Sequence, residues 1–325
     1  MASWRRALSL AFAWALVLAA AAGCASAPTG PDAFTFAVMG DTPYNAREEA
    51  HFIAMIARMD EADLAFAIHV GDFKAGGNAP CTDAVYLARK AQLDASRHPL
   101  ILTPGDNDWT DCRRASNGSM DAAERLERVR EIFFADGYSL GRSRLATDAQ
   151  SGCLAPPVAG CGCGAAPENR AWTHARVRFA TLDIPGSNDG RGFDAAGDHE
   201  ARCRDAANLQ WLERAVNSAE DSRIRALVIA TQADFWAARA PVYREYVRSL
   251  AAAAVRLQKP VLFIHGDSHT YRVDWPFTSD AGTPITNLTR LETFGSPFVG
   301  WVEVRVDPQA AQPFTFAPHL QALVP

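Results

Sequence analysis

Polar residues that could bind a metal follow five short apolar runs of this sequence. They are the aspartates of Gly40-Asp41, Gly71-Asp72, Gly105-Asp106 and Gly266-Asp267, together with Gln232 and His269. Apolar runs of this kind are typical of buried parallel strands, whose carboxyl ends meet at one edge of an open sheet. Carboxylates gathered at such an edge repel one another unless a cation lies between them. The pattern therefore predicts a metal site.

The apolar runs alternate with amphipathic segments. The runs begin at residues 34, 64, 99, 224 and 261, and helices are predicted over 47–59, 82–95, 208–219 and 242–257, with another capped by Ser119 and continuing to Phe133. This alternation indicates βαβ units and a largely parallel sheet. Residues 171–184 are predicted to be a strand, and the period-two pattern of 298–306 and 313–316 predicts antiparallel strands. We expect no domain boundary after an N-terminal linker.

Composition narrows the class of partner. The chain has 325 residues, a net charge of −5 and 48% hydrophobic residues, which is enough to bury a large core. Its calculated pI is near 5.9. A nucleic-acid-binding protein normally presents a basic face, so nucleic acid is not expected as the main partner.

The N-terminus predicts export. Two arginines precede an uncharged run over residues 7–22, which is short for a membrane span. We expect a signal peptide over 1–24, a linker over 25–31 and a single domain over 32–325. Ala21-Ala-Gly-Cys24 approximates a lipobox that lacks its usual leucine, whereas Ala25-Ser-Ala27 fits ordinary secretory cleavage. A lipoprotein acylated at Cys24 is favoured over a soluble periplasmic protein, and an uncleaved membrane anchor is the third reading.

The other cysteines form an even set that suits an oxidising compartment. They are Cys81, Cys112, Cys153, Cys161, Cys163 and Cys203, enough for three disulfides. Three of them lie in a Gly-, Ala- and Pro-rich segment at 152–167, which predicts an irregular loop held by disulfides. We predict a Cys81–Cys112 pair because both lie just beyond site loops. The remaining connectivity is open.

Taken in order, the five loops resemble the motifs of the calcineurin-like metallophosphoesterases: D-x-H, GD, GNH-D/E, a lone His and GH-x-H. The resemblance covers residues 34–274 and depends on the complete set, since a single Gly-Asp is common. It implies an α/β fold, a two-sheet αββα sandwich of the metallophosphoesterase type, here with a disulfide-stapled loop insertion. It also implies two metal ions and the hydrolysis of phosphoesters by metal-activated water.

The resemblance assigns roles position by position. Asp41, Asp72 and His269 match the family motifs in kind, and Asp72 takes the position that bridges both metals. Five ligand or catalytic positions differ: Pro43 and Asn107 replace histidines, Asp106 replaces an asparagine, and Gln232 and Asp267 replace the lone His and the first His of the last motif. One ion would then be held by Asp41, Asp72 and His269. The other would be held by Asp72, Asp106, Gln232 and Asp267.

These substitutions change the expected chemistry. Carboxylate and amide oxygens favour Mn, Mg or Ca, with Fe and Zn as alternatives. Four aspartates would cancel the charge of two divalent ions, so an anionic substrate would need a further cation, for which Lys74, Arg113 and Arg191 are candidates. Asn107 stands where the family has a catalytic histidine and cannot act as an acid, so slow turnover is expected.

Three functions follow from this sequence. The leading one is an exported, metal-dependent phosphoric ester hydrolase acting on a small phosphoester. The second is a non-catalytic metal-binding protein that keeps the phosphoesterase fold. The third is an interaction protein built by disulfides without metal. A lipid anchor at Cys24 would add the membrane as a partner.

Overall fold

The computed structural model describes residues 30–164, 166–236 and 241–321. The strands, numbered in chain order, are β1 Phe34–Met39, β2 Ala67–His69, β3 Leu100–Leu102, β4 Asp148–Gln150, β5 Ala166–His174, β6 Val177–Thr181, β7 Ala226–Ala230, β8 Val261–His265, β9 Arg272–Asp274, β10 Leu288–Glu292, β11 Gly300–Val306 and β12 Phe314–Leu320. The longer helices are Ala46–Met59, Asp83–Asp94, Ala122–Phe133, Ala195–Ala219 and Arg244–Leu257. Short helical turns span Asp106–Asp108, Thr110–Arg113, Ala115–Asn117, Gly186–Asp189 and Pro241–Tyr243.

The strands form two mixed sheets. One has the order β12-β11-β1-β2-β3 and the other β4-β5-β6-β7-β8-β10-β9. The centre of each sheet is parallel, β1-β2-β3 in the first and β6-β7-β8-β10 in the second, and antiparallel strands flank both. The predicted antiparallel C-terminal strands are confirmed as the β11–β12 pair. The largely parallel sheet that we expected is therefore two sheets, each parallel only at its centre.

Each central strand is buried on both faces, which explains the continuous apolar runs. Along β1, Phe36 and Val38 contribute to a core between the two sheets, whereas Ala37 and Met39 face a second core under the helices 46–59, 83–94 and 122–133. On β8, Ile264 joins the central core and Phe263 faces a third core under the helices 195–219 and 244–257. The protein is therefore a two-sheet α/β sandwich with helices packed on the outer faces.

The predicted helices are present, but some begin elsewhere. Asp121, and not Ser119, caps the third helix by accepting a hydrogen bond from the Glu124 amide at 2.8 Å. Ser119 has a left-handed backbone (φ 51°) and lies in the preceding turn. The helix that we predicted from residue 208 begins at Ala195, because Asp194 caps it through the Gly197 amide at 2.7 Å.

The prediction of a single strand over residues 171–184 is also wrong. It contains the antiparallel pair of β5 and β6, joined by Ala175 and Arg176, which both have positive φ. Strand β5 begins at Ala166, and β6 then runs parallel to β7. The apolar pattern runs on through this turn, so it concealed the change of direction.

The six cysteines of the described region form three disulfides: Cys81–Cys112, Cys153–Cys163 and Cys161–Cys203. The predicted Cys81–Cys112 pair is confirmed. The other two order the 152–164 loop and attach it to the helix 195–219, as expected for a stapled insertion. Such a set is typical of an exported protein that folds in an oxidising compartment.

Cys24 and the predicted signal peptide lie outside the described residues. Within the described ranges, no helix combines the length and apolar character that a bilayer crossing requires.

Candidate functional site

The residues that follow the apolar runs meet where the two sheets adjoin. The Asp267 amide donates to Asp41 Oδ1 at 3.1 Å, and Gln232 Nε2 lies 3.3 Å from Asp72 Oδ2. Asp106 is buried beside them. We call Asp41, Asp72, Asp106 and Asp267 the carboxylate cluster. Loops from both sheets contribute to it, so side chains separated by more than 200 residues share one site.

Glycines let these loops approach closely. A β-carbon on Gly266 would lie 2.1 Å from Asp41 Oδ2, and one on Gly105 would lie 2.1 Å from Asp72 Oδ1. In each case the glycine that precedes one aspartate makes room for the aspartate of a neighbouring loop. The repeated Gly-Asp pairs thus have a packing reason as well as a turning one.

The site residues also have an uncommon backbone conformation. The φ angles are 53° at Asp41, 56° at Asp72, 75° at Asp267 and 60° at His269. A left-handed conformation at a residue other than glycine costs roughly 1–3 kcal/mol and is concentrated at functional sites. Four such residues in one cluster mark it as the candidate site independently of any sequence motif.

Asp72 is the hydrogen-bond acceptor at the centre of the cluster. Its Oδ1 accepts from the Asn107 amide at 3.0 Å, and its Oδ2 accepts from Asn107 Nδ2 at 2.7 Å and from the Tyr44 hydroxyl at 3.1 Å. Despite these donors, burial and repulsion from Asp106 and Asp108 raise the pKa of Asp72 well above its ordinary value. Asp72 thus lies at the centre of the carboxylate cluster.

His269 directs its Nε2 into the site. Its Nδ1 lies 2.7 Å from the Ser296 carbonyl oxygen, which can only accept, so Nδ1 carries the proton. Nε2 then faces Asp41 Oδ1 at 3.7 Å and the Tyr44 oxygen at 3.4 Å. An imidazole oriented by a backbone carbonyl in this way is the usual arrangement of a metal-binding histidine.

Gln232 is oriented differently from the prediction. Its Oε1 accepts a hydrogen bond from the Gly186 amide at 2.5 Å, so its Nε2 faces Asp72 and, at 3.4 Å, Asp267 Oδ1. An amide nitrogen is not a metal ligand. To serve as one through oxygen, Gln232 would have to rotate its amide and give up the bond from Gly186.

Two carboxylate oxygens in the cluster have no hydrogen-bond partner among the described residues. Asp41 Oδ2 and Asp106 Oδ1 are buried and accept no hydrogen bond from the described residues. Burial, followed by repulsion from Asp267, raises the pKa of Asp41 well above its ordinary value, and burial with repulsion from Asp106 raises that of Asp267 to about 7. The ionised cluster is therefore destabilised and lacks positive charge.

The fit to metal ions differs between residues. Asp41 and Asp106 supply unpaired buried oxygens, and the oxygens of Asp72 and Asp267 and the Nε2 of His269 also suit a cation. The side-chain nitrogens of Gln232 and Asn107, which face the cluster, do not. Within the ranges that the structure describes, no three His, Cys, Asp or Glu side chains are already arranged as a metal-binding group. Binding therefore requires local side-chain movement.

The basic residues predicted at the rim occupy different positions. Lys74 is buried and donates to the carbonyl oxygens of Ala75 (2.9 Å) and Asn107 (2.7 Å). Arg113 donates to the Gly190 carbonyl at 2.9 Å and stacks on Phe193 at 4.1 Å.

Arg191 pairs with Asp205 and lies 3.5 Å from Asp189 Oδ2. Thus none of the three predicted side chains forms a hydrogen bond or an ion pair with the carboxylate cluster.

The structure adds Tyr44, which sequence reasoning missed, and brings in Ser187, whose loop the sequence offered as a candidate to reach the site. Tyr44 lies among Asp72, Asn107 and His269, and Ser187 donates a hydrogen bond to Asp106 Oδ2. Tyr44 follows Asp41 by three residues, so its place in the first motif loop was a usable signal. The loop that contains Ser187 follows a strand, which was the sequence signal that it could reach the site.

Stability should depend on pH in the absence of metal. The pKa values of Asp267 and Asp111 are raised to about 7, in both cases by burial first and by Asp106 second. Unfolded aspartates titrate near pH ~3.9, so between that value and neutrality the folded protein binds more protons than the unfolded chain. The stabilisation is complete at low pH and is lost as pH rises through the folded pKa.

With chelator present, the melting temperature should therefore fall by several degrees between about pH 5 and pH 8. Divalent ions should flatten this slope by favouring the ionised form. A melting temperature that rises over the same interval in chelator would contradict the assignment.

Comparison with known proteins supports the fold alone. No family model matches the sequence, and no curated protein matches it. Among solved structures, the chain is similar to one titled GAP50, the anchor in the inner membrane complex of Plasmodium, with a TM-score of 0.51 and 10% identity over 89% of each chain. A second match, Vps29 of Chaetomium thermophilum, has a TM-score of 0.24 and 10% identity, covering 90% of this chain and 97% of that one.

Proposed function

We propose that this protein is an exported, metal-dependent hydrolase of phosphoesters with its site at the carboxylate cluster. The observation that carries the proposal is the convergence of four aspartates, three of them buried, with His269 Nε2. All but Asp106 of these five residues have a left-handed backbone. Repulsion among the carboxylates and the unpartnered oxygens of Asp41 and Asp106 support a cation there. The finer fold that fits this proposal is the αββα sandwich of the metallophosphoesterases.

Two groups of residues would hold the cations. Asp41, Asp72 and His269 would bind one, and Asp72, Asp106 and Asp267 the other, with Gln232 joining only if its amide turns. Oxygen ligands of this kind suit manganese, magnesium or calcium. Such ions, when bound, polarise a phosphoryl oxygen and activate water.

The chain's own groups limit this chemistry. Asn107 Nδ2 donates to Asp72 and to Tyr44, and a carboxamide has no proton to transfer to a leaving group at neutral pH. Substrates that need no protonation, such as aryl phosphates, should therefore be hydrolysed faster than alkyl phosphates.

A second candidate is a metal-binding protein without turnover. It is favoured by the amide nitrogens of Gln232 and Asn107, which occupy the interior of the site where the family has imidazoles. These donors satisfy Asp72 without a metal. In that case the protein would bind a cation without hydrolysing a phosphoester.

Turnover across metals separates the two candidates. We expect the purified protein, loaded with manganese, magnesium or calcium, to hydrolyse p-nitrophenyl phosphate or its diester, and alkyl phosphates more slowly. Isothermal titration with each ion reports binding independently of activity. Binding of an ion without hydrolysis of any substrate would establish the second candidate and reject the first.

We further propose a periplasmic location, with a lipid anchor at Cys24. The disulfides support export. The approximate lipobox in the sequence supports the anchor.

A further inference from the structure

Arg114 lies beside the carboxylate cluster, on the turn that follows Asp106. Its Nη2 donates to Ser187 Oγ at 3.0 Å, and its Nη1 lies 2.5 Å from Asp111 Oδ2. The side chain is 39% exposed, whereas that of Asp111 is 1% exposed. Arg114 is thus held by a buried carboxylate while one side of the guanidinium faces solvent.

Ser187 connects this guanidinium to the cluster. Its hydroxyl has one hydrogen, which it donates to Asp106 Oδ2, and it accepts the hydrogen bond from Arg114. Ser187 has a left-handed backbone (φ 48°), which places the hydroxyl between the two. Arg114 is therefore two hydrogen bonds from a predicted metal ligand.

The three basic residues that the sequence predicted at the rim do not share this position. Lys74 is buried against carbonyl oxygens, Arg113 is turned to Phe193, and Arg191 pairs with Asp205. Arg114 also has donors to spare: besides Asp111 and Ser187, only a long contact of 3.4 Å to the Gly76 carbonyl engages it among the described residues. An arginine presents five N–H groups.

We propose that Arg114 binds the phosphoryl oxygens of the substrate, an inference that rests on the proposed function. Four aspartates cancel the charge of two divalent ions, so attraction of a phosphate dianion needs one more positive group. A guanidinium suits phosphate because its planar donors bind two oxygens at once. Asp111 and Ser187 orient it toward the cluster.

The test measures the binding of inorganic phosphate to the manganese-loaded protein by isothermal titration. Arg114→Gln should weaken phosphate binding by about 10–100-fold, the loss expected for a charged hydrogen-bonding group. Arg114→Lys should lose less affinity, because lysine keeps the positive charge but lacks the planar N–H donors that bind two oxygens at once. Arg223→Gln is the matched control, since Arg223 is 86% exposed and pairs only with Asp221 among the described residues, and it should leave affinity unchanged.

Loss of Arg114 leaves Asp111 without its partner, so a structural effect needs its own control. The double variant Arg114→Gln/Asp111→Asn removes that unpaired charge and should bind phosphate as weakly as Arg114→Gln. Recovery of wild-type affinity in the double variant would overturn the proposal, as would full affinity in Arg114→Gln or no phosphate binding by the wild type. If phosphate binding depends on Arg114 but the protein shows no turnover, the proposed hydrolase activity is rejected and the proposed role of Arg114 stands.

Discussion

Replacing Asp72 by asparagine is expected to remove both cations at once and lower cation affinity by more than about 100-fold. Loss of a group that merely supports a metal ligand already costs 10–100-fold. Asp72 has the central position, within 3.3 Å of Gln232, Asn107 and Tyr44 side-chain atoms. Elemental analysis after dialysis, together with the cation-induced rise in melting temperature, measures the effect.

Asp41→Asn is the matched comparison for Asp72→Asn. Asp41 is predicted to hold one ion only, with His269 Nε2 3.7 Å from its Oδ1. This variant should therefore retain one equivalent of metal, whereas Asp72→Asn retains none. Two equivalents of metal in Asp72→Asn would exclude the shared role of Asp72, provided that the circular dichroism of the variant is native.

Opening the Cys81–Cys112 disulfide should destabilise the fold and loosen the site together. The two cysteines are 31 residues apart, and a loop of that length predicts a loss of about 3–4 kcal/mol. Cys112 lies on the turn Thr110–Arg113, between Asp106 and Arg114. The Tyr86 hydroxyl donates to the Asp108 carbonyl oxygen at 2.6 Å beside the bridge, so it helps to hold the same loop.

The variant Cys81→Ser/Cys112→Ser measures this effect by thermal unfolding and by cation titration, and both should be impaired. Cys153→Ser/Cys163→Ser is the control, because that bridge closes only 10 residues in a peripheral loop. It should cost less stability and leave cation affinity unchanged. Equal loss of cation affinity in both variants would mean that the site responds to global stability and not to its own disulfide.

Local pattern was sufficient for the strands that carry the site. Strands β1 and β8 are buried on both faces, so apolar residues are continuous along them, and the Gly-Asp pair ends each run. The Cys81–Cys112 pair was also predictable, since both cysteines follow loops that end at one sheet edge. The reversal between β5 and β6 was not, because the turn at Ala175 and Arg176 carries no glycine or proline.

Side-chain orientation was beyond the sequence. Gln232 has an oxygen and a nitrogen at nearly equal reach, and only the Gly186 amide, 46 residues away, decides which one faces the aspartates. Arg113 and Arg114 are neighbours with the same chemistry, yet one stacks on Phe193 and the other reaches Ser187. These side-chain orientations depend on hydrogen-bond and packing partners that only the tertiary fold places nearby.

The sequence by itself determined which residues end at the site, because strand periodicity and the glycine before each aspartate are local properties of the chain. Tertiary structure alone decided which atoms meet there. Tyr44, Ser187 and Arg114 join the site through contacts across loops, and the ring of His269 is oriented by the Ser296 carbonyl. Hydrogen bonds between distant segments set these orientations, and no local pattern encodes them.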